Sequence, residues 1–145
     1  MLSAWYRVGA GRLSDMYDIT KVKPGEDLGD ILNLREEIFG IREDDLDDYG
    51  ISLLLTGNGD PVAIGRILLD PENDRLIIDQ IGVKENLRRQ GIGTEVLNCM
   101  MEIAISCRAE EVRAKARNDQ VVIAFLEKNG FEDFDHFWMT KDLYY

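Results

Sequence analysis

Leu76-Ile77-Ile78-Asp79-Gln80-Ile81-Gly82-Val83-Lys84-Glu85-Asn86-Leu87-Arg88-Arg89-Gln90-Gly91-Ile92-Gly93-Thr94 changes character twice along its length. From Leu76 to Val83 it is β-branched and apolar, the composition of a strand. From about Gly93 onward it opens a helix. Between the two lies a basic turn, Arg88-Arg89-Gln90-Gly91-Ile92-Gly93, punctuated by two glycines. A glycine lets another group approach the backbone closely, because no Cβ stands in the way. The first turn of a helix carries free N–H groups and a partial positive charge, so it attracts phosphate. Strand, glycine-rich turn and helix together read as a cradle for a pyrophosphate. The plainer reading is an ordinary strand-to-helix loop with incidental glycines.

Two familiar phosphate loops do not fit. No Gly-Lys-Ser/Thr closes the turn, so it is not a P-loop, and it lacks the G-x-G-x-x-G dinucleotide fingerprint. The pattern resembles the acyl-CoA turn of the GNAT superfamily of N-acyltransferases, Arg/Gln-x-x-Gly-x-Gly/Ala. Arg88, Gly91 and Gly93 fill its three fixed positions. Ile81-Gly82-Val83 matches the strand segment whose backbone pairs with pantetheine in that family. Further on, Asn118 followed by Ala124-Phe125-Leu126-Glu127-Lys128-Asn129-Gly130-Phe131 resembles the family's Asn…Ala-x-Phe-Tyr-Glu-Lys-x-Gly-Phe. The resemblance runs from Tyr17 to Leu143.

The whole-chain properties are compatible with this. The 145 residues suit one domain with its own core. We read 16–145 as that domain and 1–15 as an N-terminal extension, either peripheral or packed on a neighbouring subunit in a homodimer. The apolar share is 45% and the charged share 31%, as in a soluble globular protein. No apolar run reaches the length of a membrane span, and the first residues lack the order of a signal peptide, so the expected location is the cytoplasm. Cys99 and Cys107 fall on one predicted helix about 12 Å apart, too far for a disulfide. The formal net charge of −11 disfavours nucleic acid and anionic membrane as partners and favours a cationic one. Coenzyme A is polyanionic, so an acidic protein needs a local basic patch to hold it. Lys84, Arg88 and Arg89 supply that patch.

Along the chain, Met16–Lys23 alternates like a strand and Pro24-Gly25 ends it. A helix is predicted from about Asp27 to Phe39, stopped by Gly40. In the acidic stretch Glu43-Asp44-Asp45-Leu46-Asp47-Asp48, a calcium loop counted from Asp45 fails at its twelfth position, where Thr56 replaces the bidentate Glu. The stretch reads as a short solvated acidic helix, or more sharply as a rim attracting an amine. Ile51–Thr56 and Pro61–Leu69 are strands around the hairpin signal Gly57-Asn58-Gly59-Asp60. A helix from about Gly93 to Arg108 follows the basic turn, then a strand from Glu111 to Arg117. Asn118 is read as the N-cap of a helix Asp119–Asn129, and Phe131–Leu143 as a hairpin or two short strands. His136 has no Cys or second His spaced to share a metal, and is read as structural or surface.

The expected fold class is therefore α+β (α/β): a GNAT-like mixed central sheet of about six or seven strands with about four helices. Its N-terminal strands are antiparallel, and the strand–helix–strand crossover makes the fourth and fifth parallel and, by resemblance, splayed. The resemblance further implies an N-acetyltransferase with acetyl-CoA as co-substrate and no metal. The acceptor would be a primary amine of a small molecule or peptide, attacking directly. The implied co-substrate contacts are Ile81, Gly82, Val83, Arg88, Arg89, Gln90, Gly91, Ile92, Gly93, Thr94 and Asn118. The amine must shed a proton to attack, and Asp79, on the same strand face as Ile81, is the candidate base. At Leu126 the chain departs from the family, which often places there a tyrosine that protonates the departing thiolate. Tyr144, Tyr145 or a water could substitute. The second reading is a non-catalytic acyl-CoA-binding regulatory module.

Overall fold

The computed structural model describes residues 16–145. The segment 1–15 lies outside the described residues. Seven strands form a mixed sheet: β1 (Asp18–Val22), β2 (Ile51–Gly57), β3 (Asp60–Asp70), β4 (Arg75–Val83), β5 (Glu111–Lys115), β6 (Glu132–Asp133) and β7 (Trp138–Asp142). Their order is β1-β2-β3-β4-β5-β7-β6. Only β4 and β5 pair in parallel, from Arg75↔Glu111 to Ile78↔Ala114; the other neighbours are antiparallel. Three α-helices accompany the strands among the described residues: α1 (Asp30–Phe39), α2 (Ile92–Ser106) and α3 (Gln120–Lys128). This is the expected fold class with one helix fewer. The missing one is the acidic stretch, which makes only a single 3₁₀ turn, Asp45–Asp48.

Local chemistry accounts for the boundaries. Asn58 (φ 52°) and Gly59 (φ 84°) both sit in the left-handed region, the two-residue turn whose twist matches a hairpin. Helix α1 starts three residues later than expected. The Asp27 carboxylate accepts the Gly29 N–H at 2.9 Å, and Gly29 at φ 51° is not helical, so the chain turns before it coils. Gly40 closes α1 with its N–H on the Glu36 carbonyl. The cap of α3 is Asp119 rather than Asn118: the Asp119 carboxylate accepts from the N–H groups of Val121 and Val122. Arg117 and Asn118 adopt left-handed φ values of 53° and 57°, which also ends β5 at Lys115 instead of Arg117.

The chain divides into two compact units. The first holds residues 16–66 and Gln80–Cys99. In it, Ile31 and Leu34 of α1 pack with Ile64 of β3, flanked by Val22, Leu28, Ile38 and Leu54. The second holds Ile67–Asp79 and Met100–Tyr145. Its buried side chains include Leu76 and Ile78 of β4, Val112 and Ala114 of β5, Leu126 of α3 and Met139 of β7. The alternation of β5 is visible here. Val112 and Ala114 are buried, while Glu111, Arg113 and Lys115 remain half-buried on the other face. No helix among the described residues is long and apolar enough to cross a membrane.

Candidate acyl-transfer site

Within the first unit, β4 ends at Val83 and the chain bends sharply. The Lys84 N–H is anchored on the Val62 carbonyl at 2.9 Å, and a 3₁₀ turn follows at Glu85–Leu87. Arg88 reaches back, its Nε donating to the Val83 carbonyl at 3.0 Å. Arg89 (φ 65°) and Gly91 (φ 83°) take left-handed conformations and fold the turn over. Gly91 supplies the first carbonyl of α2, accepting from Glu95 N–H at 3.2 Å. Ile92, 1% exposed, pins the start of that helix into the core. The first-turn N–H groups of α2 therefore emerge beside an exposed stretch, Arg88 to Gly91. Such a turn can hold an anion through backbone donors, the helix dipole and two guanidinium groups.

Upstream, Gly82 is buried, and its smallness is required. A Cβ there would come within 2.9 Å of Ile38 Cγ2 and Phe39 Cζ. The end of α1 thus lies directly on β4, and Phe39 keeps 38% of its surface exposed.

The acidic stretch in the same unit is less solvated than the sequence suggested. Two of its carboxylates are bound to buried arginines. Arg66 of β3, 1% exposed, forks onto Asp44: Nη1 to Oδ1 at 2.6 Å and Nη2 to Oδ2 at 2.9 Å. Its Nη1 also reaches Asp47 Oδ1 at 3.1 Å. Arg35 of α1, fully buried, donates to Asp47 Oδ2 and to the Arg42 carbonyl, both at 2.8 Å. Gly50 allows this packing, since a Cβ there would meet Arg66 Cγ at 3.0 Å. Only Glu43, Asp45 and Asp48 stay exposed, a weaker rim than the sequence suggested.

Burial works to raise the pKa of Asp47. Hydrogen bonds from Arg35, the Asp44 N–H and Arg66 outweigh it, so the carboxyl lies below its ordinary 3.8. A depressed acid stabilises the fold above its unfolded value and loses that contribution as pH falls. Below pH 3.8, the gap in melting temperature between wild type and Asp47→Asn should therefore narrow steadily. A gap that stays constant down to pH 2 would mean that Asp47 carries no net proton linkage.

In the second unit, Asp79 is buried, and its Oδ1 accepts from Lys115 Nζ at 2.8 Å. The pair lies one step beyond Ile78↔Ala114, where the parallel register ends. Lys115 Nζ also sits 5.5 Å from the centre of the Trp138 ring. A ladder of charges continues along β5. Arg113 and Thr140 donate to Glu111, whose burial raises its pKa but whose donors hold it below 4.5 on balance. Leu126 is 1% exposed and serves the core. The Tyr145 hydroxyl is committed to the Ala109 carbonyl at 2.5 Å, while Tyr144 is exposed. Asn118 is exposed, with its N–H on the His136 carbonyl at 2.7 Å. His136 is also exposed, 3.2 Å from Asp133.

Of the residues singled out from sequence, Ile81–Val83 and Arg88–Thr94 fall in the first unit, Asp79 and Asn118 in the second. Sequence reasoning missed Arg35, Arg66, Lys115 and Trp138. Arg66 carried a signal, as a charge inside an otherwise apolar strand. Lys115 could have been found only by aligning the parallel strands residue against residue.

Residues 13–131 match the model of the acetyltransferase (GNAT) family. A search by sequence finds no matching curated protein. Similar solved structures include a GNAT family acetyltransferase from Elizabethkingia anophelis with acetyl-CoA bound: TM-score 0.71, 16% identity, 89% of this chain and 99% of that one. Naa50 of Arabidopsis thaliana, in complex with the bisubstrate analogue CoA-Ac-MVNAL, superimposes with a TM-score of 0.73 at 19% identity over 88% and 99%. The ribosomal-protein-S18-alanine N-acetyltransferase of Escherichia coli gives 0.68 at 17% identity over 83% and 80%. At these identities the structures speak for the fold; the match across most of the sequence carries the assignment, and the chain belongs to the GNAT family of acetyltransferases.

Proposed function

We propose that the protein is an N-acetyltransferase that moves an acetyl group from acetyl-CoA to a primary amine of a small molecule or peptide by direct attack. The observation that carries the reading is the Arg88–Thr94 turn. A left-handed glycine and the free first turn of α2 meet beside two arginines, in a chain whose net charge of −11 would otherwise repel a polyanion. Backbone groups of Ile81, Gly82 and Val83 would hold pantetheine. Arg88, Arg89, Gln90, Gly91, Ile92, Gly93 and Thr94 would hold the phosphates, with Asn118 as a further contact. Acetyl-CoA supplies the activated acyl group as a thioester.

This chain's own residues supply the rest. The Ile81 N–H is the donor for the charge that develops on the acyl oxygen. Asp79 takes the proton that the amine must lose. Leu126 offers no hydroxyl, so the thiolate departs unaided unless Tyr144, Tyr145 or a water supplies the proton, and ordinary thiol acidity, about 8.5, permits this. Turnover is accordingly slow. The acceptor is cationic, in keeping with the overall charge. Peptide amines stay in the class beside small molecules, because one structural neighbour is named for acetylating a protein alanine.

The test is Asp79→Asn, assayed by steady-state kinetics with a saturating amine. General-base loss should lower kcat by about 10²–10⁴-fold and leave CoA affinity near the wild-type value. An unchanged kcat would remove Asp79 from the reaction. A non-catalytic acyl-CoA-binding regulatory module is the second reading, favoured by the apolar, buried Leu126. It predicts CoA binding with no amine-dependent turnover.

A further inference from the structure

The ion pair at the end of the β4–β5 register is unequally buried. Asp79 keeps 1% of its side chain exposed and Lys115 19%, so the lysine is the member that reaches solvent. Its ammonium also rests 5.5 Å from the Trp138 ring, within the range of a cation–π contact. Asp79 lies two residues before Ile81 on the same strand, about 7 Å along it and on the same face. A primary ammonium on an alkyl stem is thus held against the carboxylate that the acetyltransferase reading assigns as base. It is the same functional group as the acceptor that reading calls for.

We propose that Asp79 and Trp138 form an ammonium subsite and that Lys115 is its resident cation, a place-holder which an incoming alkyl- or arylalkylammonium displaces. The inference rests on the acetyltransferase reading for its purpose, though not for its geometry. A buried carboxylate without a cation is strongly unfavourable, so the free protein needs an occupant there. Exchange of one ammonium for another leaves the charge of the site unchanged, and the displaced Lys115 head returns to water on its flexible stem. The subsite also explains how a cationic acceptor is recognised when Asp44 and Asp47 are committed to Arg66 and Arg35.

A plain structural clasp would behave differently, and a binding titration separates the two. The probe is phenethylammonium chloride, with 2-phenylethanol as its neutral counterpart, titrated into the full chain and followed by chemical shifts, including the Trp138 indole N–H. Wild type should prefer the ammonium. Lys115→Met should bind it at least about tenfold more tightly, as expected when a site free in no more than about one molecule in ten becomes free in all, with the alcohol unaffected. Lys115→Arg, which keeps a resident cation, should bind no more tightly than wild type. Asp79→Asn should lose the preference.

If Lys115→Met binds the ammonium no better than wild type, or Asp79→Asn keeps the preference, the proposal fails. Should Lys115→Met not fold, the wild-type titration still decides: an indole signal that ignores the ammonium, or follows both probes alike, overturns it. Calorimetry with CoA keeps the two readings apart. Retained CoA binding without an ammonium preference removes only the place-holder, whereas a wild type that cannot bind CoA removes the acetyltransferase reading.

Discussion

Replacing Arg66 with methionine is expected to cost about 3–5 kcal/mol of stability, the range for breaking a buried ion pair on one side. The guanidinium is 1% exposed and makes three hydrogen bonds to two carboxylates. Methionine fills similar volume but leaves Asp44 without its bidentate partner and Asp47 with Arg35 and the Asp44 N–H. For a chain of this size, that loss should lower the melting temperature by roughly 6–20 °C. Arg66→Lys should recover only part of it, because an ammonium cannot grip both oxygens of Asp44 in the same plane. A melting temperature for Arg66→Met within about 2 °C of wild type, well below the shift expected from one buried pair, would show that the cluster is not a fold determinant.

Gly91→Val should lower CoA affinity by about 100-fold or more, the cost of losing roughly two charge-assisted hydrogen bonds. Two effects act together. On the proposed reading, the side chain would stand where the phosphates approach the backbone, and φ of 83° is a conformation that a β-branched residue strongly resists. The strain alone is worth about 1–2 kcal/mol, which lowers stability without unfolding the chain. Circular dichroism and calorimetry on one sample measure both. A folded Gly91→Val protein that binds CoA like wild type would place the cradle elsewhere.

Much of the fold was legible in the sequence because its signals are local. Asn58-Gly59 forces a tight hairpin, Gly40 and Gly130 end helices, and the alternation of Val112, Ala114 and Ala116 against Arg113 and Lys115 marks a two-faced strand. The turn at Arg88–Gly93 is equally local, since its conformation depends on glycine at one left-handed position. The errors share a different cause. Asp119 won the α3 cap from Asn118 because a left-handed residue cannot itself be the extended N-cap. The acidic stretch looked solvated because carboxylates usually are. The arginines that turn two of them inward lie 12 and 22 residues away along the chain. Lys115 and Asp79 are separated by 36 residues, so only the parallel register brings them together. Pairings of that kind belong to the tertiary structure.

The most direct test of the central claim is thiol release from acetyl-CoA by the wild-type protein, across a panel of primary amines and matched alcohols. An N-acetyltransferase should give saturable, amine-dependent release that needs the folded protein, is strongest with cationic acceptors, and yields the N-acetylated amine by mass spectrometry. Release that does not respond to any amine, in a protein that binds CoA, would contradict it.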